Sequence, residues 1–285
     1  MPAYLRPTST AEALAALGHS AYTVLAGGTD YYPAHVGRPC LDAILDITAI
    51  PELKGIRDAD DHWRIGAATT WSEILASPLP AWFDGIKEAA RAVGGVQIQN
   101  AGTIAGNLCN ASPAADGVPP LLALDAKVEL LAASGIETLP LAEFLVGNRR
   151  TRRRPEQLVA AIVVPKPMAA LAAGHFRKLG SRKYLVISFV MVGAALAIDG
   201  KGRIVTARVA VGACSPVARR LPLLEAALLG QPLTTHLSVL AERDHLAPLA
   251  PISDVRANAE YRHDTALTLV RRTLDELAAR LRRWP

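Results

Sequence analysis

A chain of 285 residues with a formal charge of +5 and 51% hydrophobic residues is long enough for one large domain or two to three modest ones, each with its own core. Its longest apolar run, Val186 to Ile198, falls short of a bilayer, and the first residues lack the basic-then-apolar pattern of a secretory signal, so the expectation is a cytoplasmic protein with no membrane span. Cys40, Cys109 and Cys214 lie far apart with no CxxC pair, which gives no cluster signal within this chain, and the modest positive charge suits an anionic ligand or acidic partner better than nucleic acid.

Ser9-Thr10-Ala11-Glu12 reads as a capping box opening a helix closed by Gly18, with Ala13, Leu14 and Leu17 as its apolar stripe. Tyr22 to Ala26 is a short strand running into Gly27-Gly28; Thr29 and Asp30 begin a turn or short helix, and Ala43 to Ile47 is a second strand. From Gly55 a new unit begins, with strands at Ile56 and Trp63 to Ala68, a capping box at Thr70-Trp71-Ser72-Glu73 and a helix from Trp82 to Val93. Asn100 to Asp116 is expected to be a loop, followed by a helix over Pro113 to Leu124, strands at Lys127 to Ala132 and Glu137 to Leu139, and a short helix at Leu141 to Val146. Gly147 to Pro155, with Arg149, Arg150, Arg152, Arg153 and Arg154, reads as a solvated basic loop, and Gln157 to Val164 as a β-rich run closed by Pro165-Lys166-Pro167. Beyond it, Gly174 to Gly180, Val186 to Ile198 and Arg203 to Ala213 are three strands, followed by helices at Leu221 to Leu229, Leu237 to Arg243 and Asn258 to Leu281. The fold class is α+β, divided as 1–54, 55–168 and a C-terminal domain, 169–285, with a three-stranded antiparallel sheet and helices.

Two loops carry the chemistry. Leu25-Ala26-Gly27-Gly28-Thr29-Asp30 and Asn100-Ala101-Gly102-Thr103-Ile104-Ala105-Gly106-Asn107, continued to Asp116, combine glycines with hydroxyls and amides. Glycines admit a ligand close to the backbone, and successive N–H groups can surround a diphosphate. Neither loop is a Gly-x-Gly-x-x-Gly or a P-loop. The seven histidines are scattered, and Cys109 has no nearby base. Asp116 either caps a helix or accepts hydrogen bonds from ligand hydroxyls. Lys178 either protects a strand edge or places a cation beside an electron-accepting ring.

The segments Leu-Ala-Gly-Gly-Thr-Asp (25–30), Asn-Ala-Gly-Thr-Ile-Ala-Gly-Asn-Leu with Ser-Pro-Ala-Ala-Asp (100–116) and Lys-Leu-Gly-Ser-Arg (178–182) resemble the FAD-binding medium subunit of the molybdenum hydroxylases, of the xanthine dehydrogenase and carbon monoxide dehydrogenase type. The resemblance implies a two-subdomain FAD-binding domain of the vanillyl-alcohol oxidase type, plus a C-terminal domain. It implies that Ala26, Gly27, Gly28, Thr29 and Asp30, with Thr103, Ile104, Ala105, Gly106 and Asn107, hold the FAD diphosphate, and that Asn100 and Gly102 also belong to the cofactor site. Asp116 would meet the ribityl or nearby polar part, Leu158 and Val159 would line the cofactor, Lys178 would approach the flavin ring and Ile187 would pack on it. It further implies a large subunit with a molybdenum pterin cofactor and a small subunit with two [2Fe-2S] clusters, in a heterotrimer or its dimer, with NAD, oxygen or another carrier as electron acceptor. Ala105 stands where the family usually has a second glycine, at a cost on the order of 1 kcal/mol if that position needs positive φ. Lys183-Tyr184-Leu185-Val186 lacks the acidic residue many relatives place near the flavin, which weakens the case for NAD. A stand-alone FAD oxidoreductase of the same fold and a nucleic-acid module using the arginines of 149–154 are the competing readings; the latter lacks interleaved aromatics.

Overall fold

The computed structural model describes residues 3–169, 171–234 and 236–283. Strands β1 (Tyr4–Leu5), β2 (Thr23–Leu25) and β3 (Ile44–Asp46), with helices α1 (Thr10–His19) and α2 (Tyr31–Ala34), form a small parallel sheet in the order β1-β3-β2. The Ser9 side chain accepts the Glu12 N–H, as the capping sequence requires, and α1 buries Ala13 and Leu17. Asp46, closing the central strand, accepts the Tyr4 hydroxyl at 2.5 Å and the Thr48 N–H at 2.9 Å. The strand that leads into Gly27-Gly28, β2, is held by its parallel pairing with β3, Leu25 lying opposite Asp46.

The second sheet is antiparallel, in the order β4-β5-β10-β6-β7: β4 (Ile56–Asp58), β5 (His62–Gly66), β6 (Lys127–Ala132), β7 (Gly135–Pro140) and β10 (Leu158–Pro165). Helices α3 (Trp71–Ala76), α4 (Asp84–Ala92), α5 (Val96–Ala101), α6 (Ile104–Asn110), α7 (Val118–Ala123) and α8 (Leu141–Phe144) lie between or beside these strands, and β8 (Leu145–Gly147) with β9 (Arg150–Thr151) forms a small hairpin. Strand β10 is central and buried on both faces. Leu158 and Ala160 pack with Leu17 and Leu45 of the N-terminal unit. A bulge between Val159 and Ala161 then shifts the register, so that Ile162 and Val164 share the face of Val159, toward the helices, instead of that of Leu158 and Ala160.

The stretch from Asn100 to Asp116 is not the loop its composition suggested. Thr103 caps α6 by accepting the Gly106 N–H, and Ile104, Ala105 and Leu108 turn into the core at helical spacing. The glycines sit at helix ends and close contacts, not in an extended coil. The helix expected over Pro113 to Leu124 correspondingly shortens to Val118–Ala123, begun by prolines at its first turn.

The third sheet runs β11 (Leu171–Leu179), β12 (Val190–Ile198), β13 (Ile204–Gly212), and a two-residue strand, β14 (Arg219–Arg220), joins the expected three-stranded meander. Every residue of β12 is buried. Its even-numbered side chains, Val190 to Ile198, pack against helices α9 (Pro222–Leu228) and α10 (Ala259–Arg282), while Met191 and Ala195 meet the helical side of the rest of the chain. Gly193 lies so close to Pro119 and Pro120 of α7 that a Cβ would come within 2.4 Å of the Pro120 nitrogen. Residues 237–243, expected as a helix, hold only 3-10 turns.

A polar cluster ties α4, β11 and α10 together. Glu88 accepts from His175 Nδ1 at 2.6 Å, from the Phe176 N–H at 2.7 Å and from Arg280 Nη2 at 2.7 Å. Burial opposes ionisation of Glu88, but His175, Phe176 and Arg280 outweigh it and hold the carboxyl below its ordinary range. A depressed carboxyl contributes stability that is fully present above its unfolded pKa and is lost as the pH falls through the folded one. Glu88→Gln is therefore expected to cost about 2–3 kcal/mol at neutral pH and to flatten the acid limb of a stability–pH curve measured by urea unfolding. An unchanged acid limb would show that the cluster contributes nothing to this linkage.

Candidate functional site

The two glycine segments, from different sheets, meet directly. A Cβ on Gly27 would lie 1.8 Å from the Ala101 carbonyl oxygen and 3.0 Å from Gly102 Cα, so glycine is required by proximity. Gly28 is needed for its backbone: φ is 67°, and the Tyr32 ring packs against it. Among the described residues, the backbone N–H groups of Gly27, Gly28, Thr29 and Asp30 donate to no group of the chain. A run of free amides in a glycine turn is a nest for an anion.

The α6 segment is different. Its first N–H groups are taken internally: Ile104 by Thr69 O at 3.0 Å, Ala105 by Ala67 O at 3.2 Å, Gly106 by Thr103 Oγ1 at 3.1 Å. These amides are therefore already satisfied within the chain, and Asn107 and Asn110 of α6 line the cleft beside it. Ala105 lies inside the helix, buried and outside the left-handed region, so the expected backbone cost of alanine there does not arise. Beneath it, buried Trp71 supports both ends of the segment: its N–H donates to Gly102 O at 3.1 Å, and its ring leaves no space for a Cβ on Gly117. Asn100, exposed at the end of α5, is held by Ser72 Oγ at 2.5 Å.

Beside α6 opens a cleft of about 370 Å³, lined among others by Val93, Asn107, Asn110, Asp116, Val186 and Ile187. The buried Asn107 Oδ1 has no partner. In its wall, Lys178 Nζ donates to Asp116 Oδ2 at 2.6 Å, to Val186 O at 3.2 Å and to Ala92 O, the end of α4, at 3.5 Å. Ser188 Oγ donates to Asp116 Oδ1 at 2.6 Å. Burial pushes the Asp116 carboxyl above its ordinary range, against the opposing pull of Lys178 and Ser188. The two residues that sequence reasoning treated separately are one buried pair, and Lys178 has acceptors for all three of its protons within the chain. The strand expected from Val186 starts only at Val190 because Leu185 adopts φ 52° and the following residues bond to this pair instead.

Of the other expected site residues, Ala26 follows β2 into the nest, and Ile187 stands exposed on the cleft wall. Leu158 and Val159 are buried in the packing on either side of β10 and are not part of the cleft lining. The basic stretch is solvated, as expected, with Arg149, Arg150, Arg152 and Arg154 exposed, but most of its arginines have partners within the chain. Arg152 pairs with Glu143, Arg154 with Glu137 and Glu156, and Arg153 donates to carbonyls including Gln157 O at 2.7 Å. Arg149, itself exposed, reaches across to the glycine turn and α6, with Nη1 3.1 Å from Asp30 Oδ2 and 2.9 Å from Asn110 Oδ1. Sequence reasoning did not assign Arg149, Asn110, Ser188 or Trp71 to the site, although Arg149 stood in the basic run, Asn110 in the polar 100–116 stretch and Trp71 inside a capping box.

Fold and cleft define a two-loop nucleotide-binding protein with an appended α+β domain. The family model for the FAD binding domain in molybdopterin dehydrogenase matches residues 1–167, and that for the CO dehydrogenase flavoprotein C-terminal domain matches residues 175–277. The chain is 30% identical to a xanthine dehydrogenase FAD-binding subunit of Escherichia coli O157:H7, over 97% of this chain and 96% of that one. It is also 30% identical to the carbon monoxide dehydrogenase medium chain of Hydrogenophaga pseudoflava, over 97% of both. A solved carbon monoxide dehydrogenase from Oligotropha carboxidovorans superposes with a TM-score of 0.86 at 28% identity, covering 98% of each chain. The chain therefore belongs to the family of FAD-binding medium subunits of the xanthine and carbon monoxide dehydrogenase type.

It binds FAD as an oxidoreductase subunit, and its own residues fit that cofactor. The free amides of 27–30 suit an anion, Val93, Val186 and Ile187 offer an apolar wall, and the unpartnered Asn107 Oδ1 awaits a donor. Among the described residues no helix is long and apolar enough to cross a membrane.

Proposed function

We propose that this chain is the FAD-carrying member of a three-subunit molybdenum hydroxylase, a heterotrimer or its dimer. A small subunit with two [2Fe-2S] clusters delivers electrons to it, a large subunit with a molybdenum pterin cofactor hydroxylates the substrate, and NAD, oxygen or another carrier takes the electrons away. Bound FAD supplies the redox chemistry; the chain supplies position and electrostatics. The designations of its relatives as a medium chain and as an FAD-binding subunit support the existence of partner chains.

In this reading, residues 1–54 and 55–168 are the two halves of the FAD domain and 169–285 is the domain that closes it. Ala26 to Asp30 hold the diphosphate, Asn100 and Gly102 to Gly106 set the wall, and Asn107 and Asp116 meet the polar chain of the cofactor. Lys178 and Ile187 stand toward the ring, while Leu158 and Val159 act from the packing beneath. The observation that carries the reading is the buried Asp116–Lys178 pair in the wall of a cleft of about 370 Å³, whose rim is joined through Asn110 and Arg149 to the nest of free amides. The test is anaerobic addition of substrate to the assembled complex and to the isolated chain. Flavin bleaching is expected only in the complex; bleaching of the isolated chain by an organic substrate would make it a stand-alone oxidoreductase.

A further inference from the structure

Arg149 occupies the turn of the β8–β9 hairpin in the left-handed region, with φ 54°, and its N–H donates at 3.0 Å to the carbonyl of Ala111, the C-cap of α6, itself at φ 46°. Two non-glycine residues in this conformation, bonded to each other, lock the hairpin turn against the end of α6. The Arg149–Asp30 ion pair does not account for that arrangement, since the two side chains are 64% and 52% exposed and such pairs contribute little to stability. What it does is orient the guanidinium. A single nitrogen, Nη1, serves both Asp30 and Asn110; Nε and Nη2 donate to no group among the described residues. Asn110 lines the cleft, and Asp30 ends the run of free amides that begins at Gly27.

We propose that Arg149 is a binding residue for the FAD diphosphate. Asp30 and Asn110 hold one corner of the guanidinium so that its remaining N–H groups converge with the amides of Gly27 to Asp30 on the same anion. The planar fork of arginine suits bidentate bonding to phosphate oxygens, and it supplies a fixed positive charge that a backbone nest alone lacks. The inference rests on reading residues 27–30 as the diphosphate site.

The test uses the full chain stripped of flavin and titrated, by fluorescence or calorimetry, with FAD, with ADP as a diphosphate lacking the flavin, and with riboflavin as a flavin lacking phosphate. Arg149→Ala is expected to weaken FAD and ADP binding by roughly 10- to 100-fold and to leave riboflavin binding unchanged. Arg149→Lys keeps the charge but loses the fork, and is expected to recover only part of the loss. FAD affinity unchanged in R149A, or equal losses for FAD and riboflavin, would overturn the proposal, the second result reducing Arg149 to a clasp between the loops. Wild-type protein that binds riboflavin but discriminates neither FAD nor ADP from it would instead defeat the reading of residues 27–30, which separates the two failures.

Discussion

Gly27→Ala is expected to yield a folded protein that carries almost no flavin. The three atoms nearest an added Cβ are all backbone: Ala101 O at 1.8 Å, Ala101 C at 2.5 Å and Gly102 Cα at 3.0 Å. No rotamer change relieves such a contact, so one of the two segments must move. The α5–α6 corner is tied by the Trp71 N–H on Gly102 O and by Ile104 and Ala105 on Thr69 O and Ala67 O. The loop of residues 27–30 has no such amide bonds, so it is the loop that lifts. Displacement costs about 1–3 kcal/mol of stability, while the misplaced amides weaken FAD binding by at least about 100-fold, or roughly 2.7 kcal/mol. The flavin-to-protein ratio and the thermal midpoint separate these effects. Gly18→Ala, where an added Cβ meets nothing within 4 Å, is the control and should keep its flavin; full flavin occupancy in G27A would show that the contact between the loops is dispensable.

The parts of this fold that were legible in the sequence are those whose signals are local. The N-cap at Ser9 and the capping box at Thr70 each act within a few residues and appear where their residues place them, although Glu12 reaches back to Thr8 rather than to the Ser9 N–H. The apolar run of β12 was readable as a strand because both of its faces are buried. The stretch from Asn100 to Asp116 misled, because glycine and small polar residues favour loops unless a cap and a buried face override them. Thr103 and the Ile104/Leu108 spacing supply both. Pairings over long sequence distances left no local trace. Arg149 meets Asp30 across 119 positions, and Lys178 meets Asp116 across 62, so the partners of a solvated basic run were not visible and a lysine looked like an edge charge. Only the resemblance placed Lys178 and Asp116 in one site, and even it did not pair them.

Breaking that pair from either side is expected to be costly, and breaking it from both sides much less so. Asp116→Leu leaves the Lys178 ammonium in the wall with only the Val186 and Ala92 carbonyls. Lys178→Met leaves the Asp116 carboxylate with only the Ser188 hydroxyl. Each single change strands a buried charge and should destabilise the chain by about 3–5 kcal/mol. The double variant Asp116→Leu with Lys178→Met strands none, and is expected to recover most of the loss in chemical denaturation, giving a coupling of a few kcal/mol, on the order expected for contacting charges. Flavin binding should not follow stability. Lys178 is what holds the Val186 carbonyl against the wall, and Asp116 is the acidic group among the polar residues that line the cleft. The double variant is therefore expected to be nearly as stable as wild type while its FAD affinity stays at least about tenfold lower, a difference of roughly 1.4 kcal/mol. If affinity returned together with stability, the pair would be serving the packing of α4, β11 and the 185–188 segment alone. If stability failed to return, the wall would depend on the pair's hydrogen bonds rather than on the cancellation of two buried charges.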